Sequence, residues 1–202
     1  MRRDQLEHVL RAASRIANDH EILVIGSQSI LGSYSEDELP DQALASVEVD
    51  VTFFDDRDNA KSDRVDAFMG EDSQFHATFG YYAQGVDLTT ATPPAGWRKR
   101  VVRYVSPGAD GAVALCMDPH DLVCAKLAAF REKDKAFAMA LLDAGLVDLD
   151  VLISRAATLE VPLVRRNVTS WLLAWGRKYR PKGPLANSRP VSLEAGPSAD
   201  RM

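Results

Sequence analysis

Cysteine is scarce in this chain: Cys116 and Cys124 are the whole complement. Neither belongs to a Cys-x-x-Cys pair or has a His-x-x-x-His nearby, which removes a zinc site and a disulfide framework and leaves two buried, inert thiols as the expectation. Long apolar runs are missing as well. The longer ones, such as 136–142 and 171–175, fall far short of the roughly 20 residues a membrane helix needs. Met1-Arg2-Arg3-Asp4 opens on charge, with no apolar stretch or small-residue cleavage site behind it, so the expected location is the cytoplasm. No Ser-His-Asp grouping, dinucleotide glycine fingerprint or P-loop can be read. The glycine-bearing segment Gly26-Ser27-Gln28-Ser29-Ile30-Leu31-Gly32 lacks the Gly-Lys-Ser/Thr ending, which argues against a kinase or an NAD enzyme. There is no internal repeat of solenoid length.

The net charge of −5 disfavours a protein that coats nucleic acid, but the charge is uneven. Acids dominate between Glu36 and Asp72, whereas Arg98-Lys99-Arg100-Val101-Val102-Arg103, Arg165-Arg166 and Arg177-Lys178-Tyr179-Arg180 are basic enough locally to meet RNA.

What is present suffices for one core of ordinary size: 202 residues, 46% of them hydrophobic. Leu6, Val9, Leu10, Ala13, Ile16 and Ala17 recur at helical spacing and predict an amphipathic helix over Gln5 to Asn18. Glu21 to Ile25 is a short β-branched run ending at Gly26, as a buried strand would. Ser27 is placed to cap a helix from Gln28 towards Ser33, with a loop at Leu39-Pro40-Asp41. Val47 to Phe54 alternates with period two, so Glu48 and Asp50 project from one face of a strand. Asn59 to Met69 reads as a helix. Phe79 to Ala83 and Gly85 to Thr89 read as a strand pair or an interrupted strand, and Arg100 to Val105 and Ala112 to Met117 complete the sheet.

From Asp118 the character changes. Asp118-Pro119-His120-Asp121 offers a capping carboxylate, a proline at the first helical position and an acid in the first turn. Helical patterns follow over Pro119 to Arg131, Lys133 to Asp143, Leu149 to Thr158 and Pro162 to Arg177. The expected division is a core at 1–117, a helical domain at 118–180 that completes the site, and a disordered tail at 181–202, where there is little to bury.

Two carboxylates two residues apart on one strand, with a third on a neighbouring strand, can hold two magnesium ions through hard oxygen ligands, and the ions can bridge phosphates. Glu48, Asp50 and Asp87 suit that arrangement, with Mn²⁺ as a substitute metal. A strand bearing acids on one face is, equally, a solvated face. The Gly26-Ser27 turn, leading from a buried strand into a helix start, offers N–H groups and a hydroxyl to a polyanion.

Taken in order, Gly26-Ser27, then Glu48-Val49-Asp50-Val51, then Val86-Asp87-Leu88 resembles the Gly-Ser, acid-x-acid and late-acid signature of the DNA polymerase beta-type nucleotidyltransferase superfamily. Glu stands at the first acidic position, where Asp is commoner. The resemblance implies an α/β (α+β) nucleotidyltransferase fold, a mixed β-sheet flanked by helices with a C-terminal helical bundle, and nucleotidyl transfer with two metals. Asp121 to Asp134, with Lys126, Arg131 and Asp134 in a Lys-x-x-x-x-Arg-x-x-Asp pattern, resembles an element of abortive-infection (AbiEii-like) nucleotidyltransferases. Relatives of those act as toxins of toxin–antitoxin pairs, and some add nucleotides to tRNA 3′ ends. The resemblance spans roughly Glu21 to Val147.

The resemblance gives Lys126 a phosphate of the incoming nucleotide, with Arg131 or Lys133 as a second cation and Asp134 beside them. On a continuous helix Lys126 and Lys133 would lie nearly in line, with Asp134 about 80° round from Lys126. The alternative is an exposed basic stripe in which Arg131 pairs with Asp134 at i, i+3. Asp87 is expected to be both a metal ligand and the base for the acceptor hydroxyl.

Trp97 beside Arg98, Lys99 and Arg100 could stack on an RNA base while the cations follow phosphates, or pack under a loop beside a solvated basic turn. His8, His20, His76 and His120 read as surface or satisfied histidines, and Trp171 and Trp175 as core. The leading functional expectation is transfer of a nucleoside monophosphate to RNA, tRNA above all, as the toxin of a toxin–antitoxin or phage-defence pair with a cognate antitoxin protein. Transfer to a protein or a small molecule such as an aminoglycoside, and a catalytically idle binding or antitoxin module, remain open.

Overall fold

A computed structural model describes residues 1–179, so the expectation for the 181–202 tail lies outside the described residues. Five strands form one mixed sheet: β1 (Glu21–Val24), β2 (Glu48–Thr52), β3 (Tyr82–Gly85), β4 (Val102–Val105) and β5 (Val113–Cys116), in the order β3-β2-β1-β5-β4. β1 runs antiparallel to β2 and parallel to β5, β2 is parallel to β3, and β4 is antiparallel to β5. The central strand β1 is the apolar run of the sequence, and Ile22, Leu23 and Val24 are fully buried, as a strand with neighbours on both sides requires.

The first helix, α1 (Arg3–Ala17), buries Leu6, Val9, Leu10, Ala13 and Ala17, the stripe its periodicity marks, and ends where Asn18 turns left-handed at φ 51°. α3 (Ala60–Met69) packs against α1 and β3. Between β1 and β2 lie a 3₁₀ turn at Ser27–Gly32, a second at Glu36–Glu38 and the short α2 (Asp41–Leu44). Gly26, not Ser27, is the cap residue of the first of these turns, which is 3₁₀ rather than α-helical. The expected loop at Leu39-Pro40-Asp41 is instead the entry to α2, with Pro40 as its cap.

The largest departure from the sequence reading lies between α3 and β3. The aromatic run at 79–83 suggests a strand, but Phe79 closes α4 (Gln74–Phe79), which Ser73 caps by accepting from the His76 N–H and which Gly80 ends at φ 73°. Strand β3 starts only at Tyr82 and stops at Gly85, and the chain then turns into a 3₁₀ segment at Leu88–Thr90. His8, expected on the surface of α1, is half-buried among Phe75, Phe79 and Tyr81, with its Nδ1 2.7 Å from the Tyr81 hydroxyl.

The second half is helical: α5 (Pro119–Ala129), α6 (Glu132–Asp143), α7 (Leu149–Ala156) and α8 (Pro162–Tyr179). Asp118 caps α5 by accepting from the N–H groups of His120 and Asp121, and Pro119 occupies the first turn. The buried apolar side chains form one cluster from α1 to α8, so the helical half shares its core with the sheet. Cys116 and Cys124 are free and buried, and burial pushes both thiols up to about 12, which keeps them protonated and inert. Trp171 and Trp175 pack against the core cluster. Among the described residues no helix is long and apolar enough to cross a membrane.

Candidate functional site

The cavity of about 600 Å³ is walled on one side by the sheet and on the other by the α5–α6 junction. Gly26 and Ser27 line it from the turn after β1, Glu48 and Asp50 from β2, and Lys126, Arg131, Lys133 and Asp134 from the α5–α6 junction. Eight of the residues expected at the site therefore come together although they span more than half the described chain.

The acidic wall follows from strand geometry. Glu48 and Asp50 alternate with fully buried Val49 and Val51, so both carboxylates leave β2 on the face opposite the valines. Asp50 lies against Gly26: a Cβ built there would sit 1.6 Å from Asp50 Oδ2, so only glycine admits the carboxylate. The Ile25 N–H donates to the Asp50 carbonyl at 3.2 Å, tying the Gly-Ser turn to the acidic strand. Burial, and then the neighbouring Glu48 charge, push the Asp50 carboxyl up to about 6, against the opposing pull of Lys126 and Lys133. Tyr82, the in-register partner of Glu48 on β3, is held up to about 12 by burial and by the charges of Glu48 and Glu71.

The basic wall depends on a helix break. Phe130 adopts φ 56° and ends α5, and Arg131 then caps α6 from an extended conformation. Lys126 and Lys133 accordingly do not lie on one continuous helix, so the condition for their in-line geometry is not met. The break brings Asp134, 1% exposed, to 3.8 Å from Lys126 Nζ and into a two-point pair with Arg131 at 2.6 and 3.2 Å. The i, i+3 pair of Arg131 and Asp134 weighed from the sequence is thus present, yet Arg131 also reaches the cavity. Lys126 Nζ stands 5.1 Å from the centre of the Phe137 ring. Burial lowers the Lys126 pKa while Asp134 and Asp50 raise it, and the net shift is downward.

Asp87 is the exception. It does not lie on a strand: it caps the 88–90 turn, and its carboxylate accepts from the Thr89 N–H at 2.6 Å, the Thr89 hydroxyl at 2.5 Å and Asn59 Nδ2 at 2.8 Å. These hydrogen bonds hold its carboxyl below the usual range. Asp87 is not among the residues lining the cavity, whereas its neighbours Val86, Thr90 and Ala91 are. The in-register partner of Asp50 on β3 is Gln84, which lines the cavity and donates to Asp66 at 2.6 Å. Among the described residues no three His, Cys, Asp or Glu side chains gather as a metal-holding group. Glu48 and Asp50 are a close carboxylate pair, a donor set suited to a hard divalent cation, and Asp87 does not line the cavity with them.

The basic turn is divided in its roles. Arg100 donates to Asp121 through Nε at 2.8 Å and Nη2 at 2.9 Å, and Asp121 is fully buried, so this arginine is a structural tie and not a free phosphate contact. Arg98 stacks over Phe54 and Trp97, at 5.5 and 5.8 Å from their ring centres, and Lys99 is exposed. His76 Nδ1 accepts from the Asp72 N–H, and His120 Nε2 accepts from the Asp148 N–H while its Nδ1 stands 3.4 Å from Asp118 Oδ1. Sequence reasoning did not find Gln84 or Phe137. Phe137 stands at i+3 from Asp134, a spacing that could have marked it. No family model, no curated protein and no solved structure matches the chain.

Proposed function

We propose that the chain is a nucleotidyltransferase of the DNA polymerase beta type that transfers a nucleoside monophosphate from a nucleoside triphosphate to an acceptor hydroxyl. One observation carries this reading: a carboxylate pair seated on a Gly-Ser turn faces three cations across a cavity large enough for a nucleotide. An acidic wall opposite a basic one suits a polyphosphate carried with a divalent cation, because each wall then neutralises the charge it meets.

Glu48 and Asp50 would hold Mg²⁺ or Mn²⁺, which when bound neutralises and orients the phosphates. Lys126 and Lys133 face the phosphates from the other side, and the Ser27 hydroxyl and the Gly26-Ser27 backbone approach them from the turn. The acceptor oxygen bonds to the α-phosphorus, the bond to the β-phosphate oxygen breaks, pyrophosphate leaves and the hydroxyl proton passes to solvent or base. Positioning and charge neutralisation supply most of the acceleration in such a transfer.

RNA, with tRNA 3′ ends first, is the proposed acceptor, and a toxin controlled by a cognate antitoxin is the proposed biological role. Both rest on the likeness to AbiEii-like enzymes, and the Arg98, Trp97 and Phe54 stack offers an aromatic and cationic surface for a base. Incubation with each of the four labelled NTPs, Mg²⁺ or Mn²⁺ and total RNA should label tRNA. Label on a protein or an aminoglycoside would move the acceptor. No transfer to anything, with nucleotide binding intact, would make the chain an idle binding module.

A further inference from the structure

The strand register beside Asp50 sets how many cations the acidic wall can take. In a parallel pair, in-register residues project to the same side, so the third ligand of a carboxylate centre built on β2 would come from the β3 residue opposite Asp50. That residue is Gln84, which carries no charge and whose amide nitrogen is committed to Asp66 at 2.6 Å. The nearest acid along the chain, Asp87, lies beyond the end of β3, and both its carboxylate oxygens are engaged, one by Thr89 and the other by Asn59.

Two divalent ions about 3.5–4 Å apart repel each other strongly, and carboxylates that bridge and flank them offset that repulsion. Of the three carboxylates that line the cavity, Asp134 is held by Arg131 and Lys126, which leaves Glu48 and Asp50 available, and the opposite wall already brings Lys126, Arg131 and Lys133. A second divalent ion would add charge to a cleft whose remaining ligand position is neutral.

We infer, on the nucleotidyltransferase reading above, that this site holds one divalent cation, on Glu48 and Asp50, with Gln84 in the position of a third carboxylate and Asp87 serving neither as ligand nor as base. The basic wall takes over phosphate neutralisation that a second ion would provide.

The test is Mn²⁺ titration of the full chain followed by electron paramagnetic resonance, with and without one equivalent of α,β-methylene-ATP, beside binding of a fluorescent nucleotide. The expected result is one Mn²⁺ per chain with an uncoupled spectrum, weakened roughly ten-fold or more by Glu48→Gln or Asp50→Asn and changed less than about two-fold by Asp87→Asn. Asn at 87 keeps the turn cap, so that variant folds. Gln84→Glu should admit a second, exchange-coupled ion. Two coupled ions in the unaltered chain, or a ten-fold loss in Asp87→Asn, would overturn the inference. Nucleotide binding without any Mn²⁺ at Glu48 and Asp50 overturns it too while sparing the nucleotide site. One Mn²⁺ with no nucleotide binding upholds the single-cation site and defeats the nucleotidyltransferase reading instead.

Discussion

The carboxylate of Asp50 occupies the space that a side chain on Gly26 would need, with Oδ2 1.6 Å from the position of an added Cβ. Gly26 has φ −87°, an ordinary value for any residue, so its requirement is steric and not conformational. Gly26→Ala should therefore lower stability by about 1–3 kcal/mol and abolish nucleotide binding, because the acid must swing away. In an Asp50→Ala background the same substitution should cost clearly less, because of the three close atoms only the Cβ, 2.9 Å from the added methyl, remains. Thermal melts of the four proteins check this, and a full cost in both backgrounds would mean that Gly26 matters for another reason.

Lys126 is a half-buried cation that feels the charge of Asp50, and its ammonium lies near both Asp134 and the Phe137 ring. Lys126→Met keeps the aliphatic packing, and Asp134 retains Arg131 as its partner. Nucleotide affinity should fall about ten-fold or more, or roughly 1.4 kcal/mol, with the fold intact by circular dichroism. Unchanged affinity would leave Lys126 a structural partner of Asp134.

How much of this was legible in the sequence varies with the range of the interaction. Glu48 and Asp50 could be placed on one face because period-two alternation is a local property of a strand. The cap at Asp118 and the stripe on α1 are local too. Asp87 was misplaced because the strand before it ends at Gly85, and a Gly-Val-Asp-Leu run carries no mark of where pairing stops. The contact of His8 with Tyr81 joins two elements far apart in sequence, as does the register that sets Gln84 beside Asp50, and neither has a local signature. The break between α5 and α6 was legible as the gap between two helical patterns at Arg131 and Lys133, but not the left-handed Phe130 that makes it, since that conformation is not what its side chain favours.

Arg100 belongs to the fold, and its removal should show that. Asp121 is fully buried and is held by Arg100 and by Arg155, the latter at 3.1 Å. Arg100→Ala should destabilise the protein by about 3 kcal/mol, because a buried carboxylate loses its two-point partner. Arg98→Ala, at an exposed position, should change stability by less than about 0.5 kcal/mol. If the turn binds RNA, Arg98→Ala alone should weaken RNA retention without moving the melting temperature.

Asp118 gives the clearest acid dependence. Burial pushes its carboxyl up, but the hydrogen bonds from His120 and the charge of Arg155 outweigh that and bring it down to about 2. A carboxyl whose folded pKa lies below its unfolded value near 3.8 contributes stability that is complete above pH 4 to 5 and is lost as pH falls towards 2. The contribution should be about 1–2 kcal/mol after allowance for solvent screening. Asp118→Asn keeps an N-cap for α5 but removes the charge beside Arg155. The variant should melt lower than the parent at pH 7, and the difference should shrink steadily between pH 4 and 2. A difference that stays constant over that interval would mean that the cap geometry, and not the charge, is what Asp118 contributes.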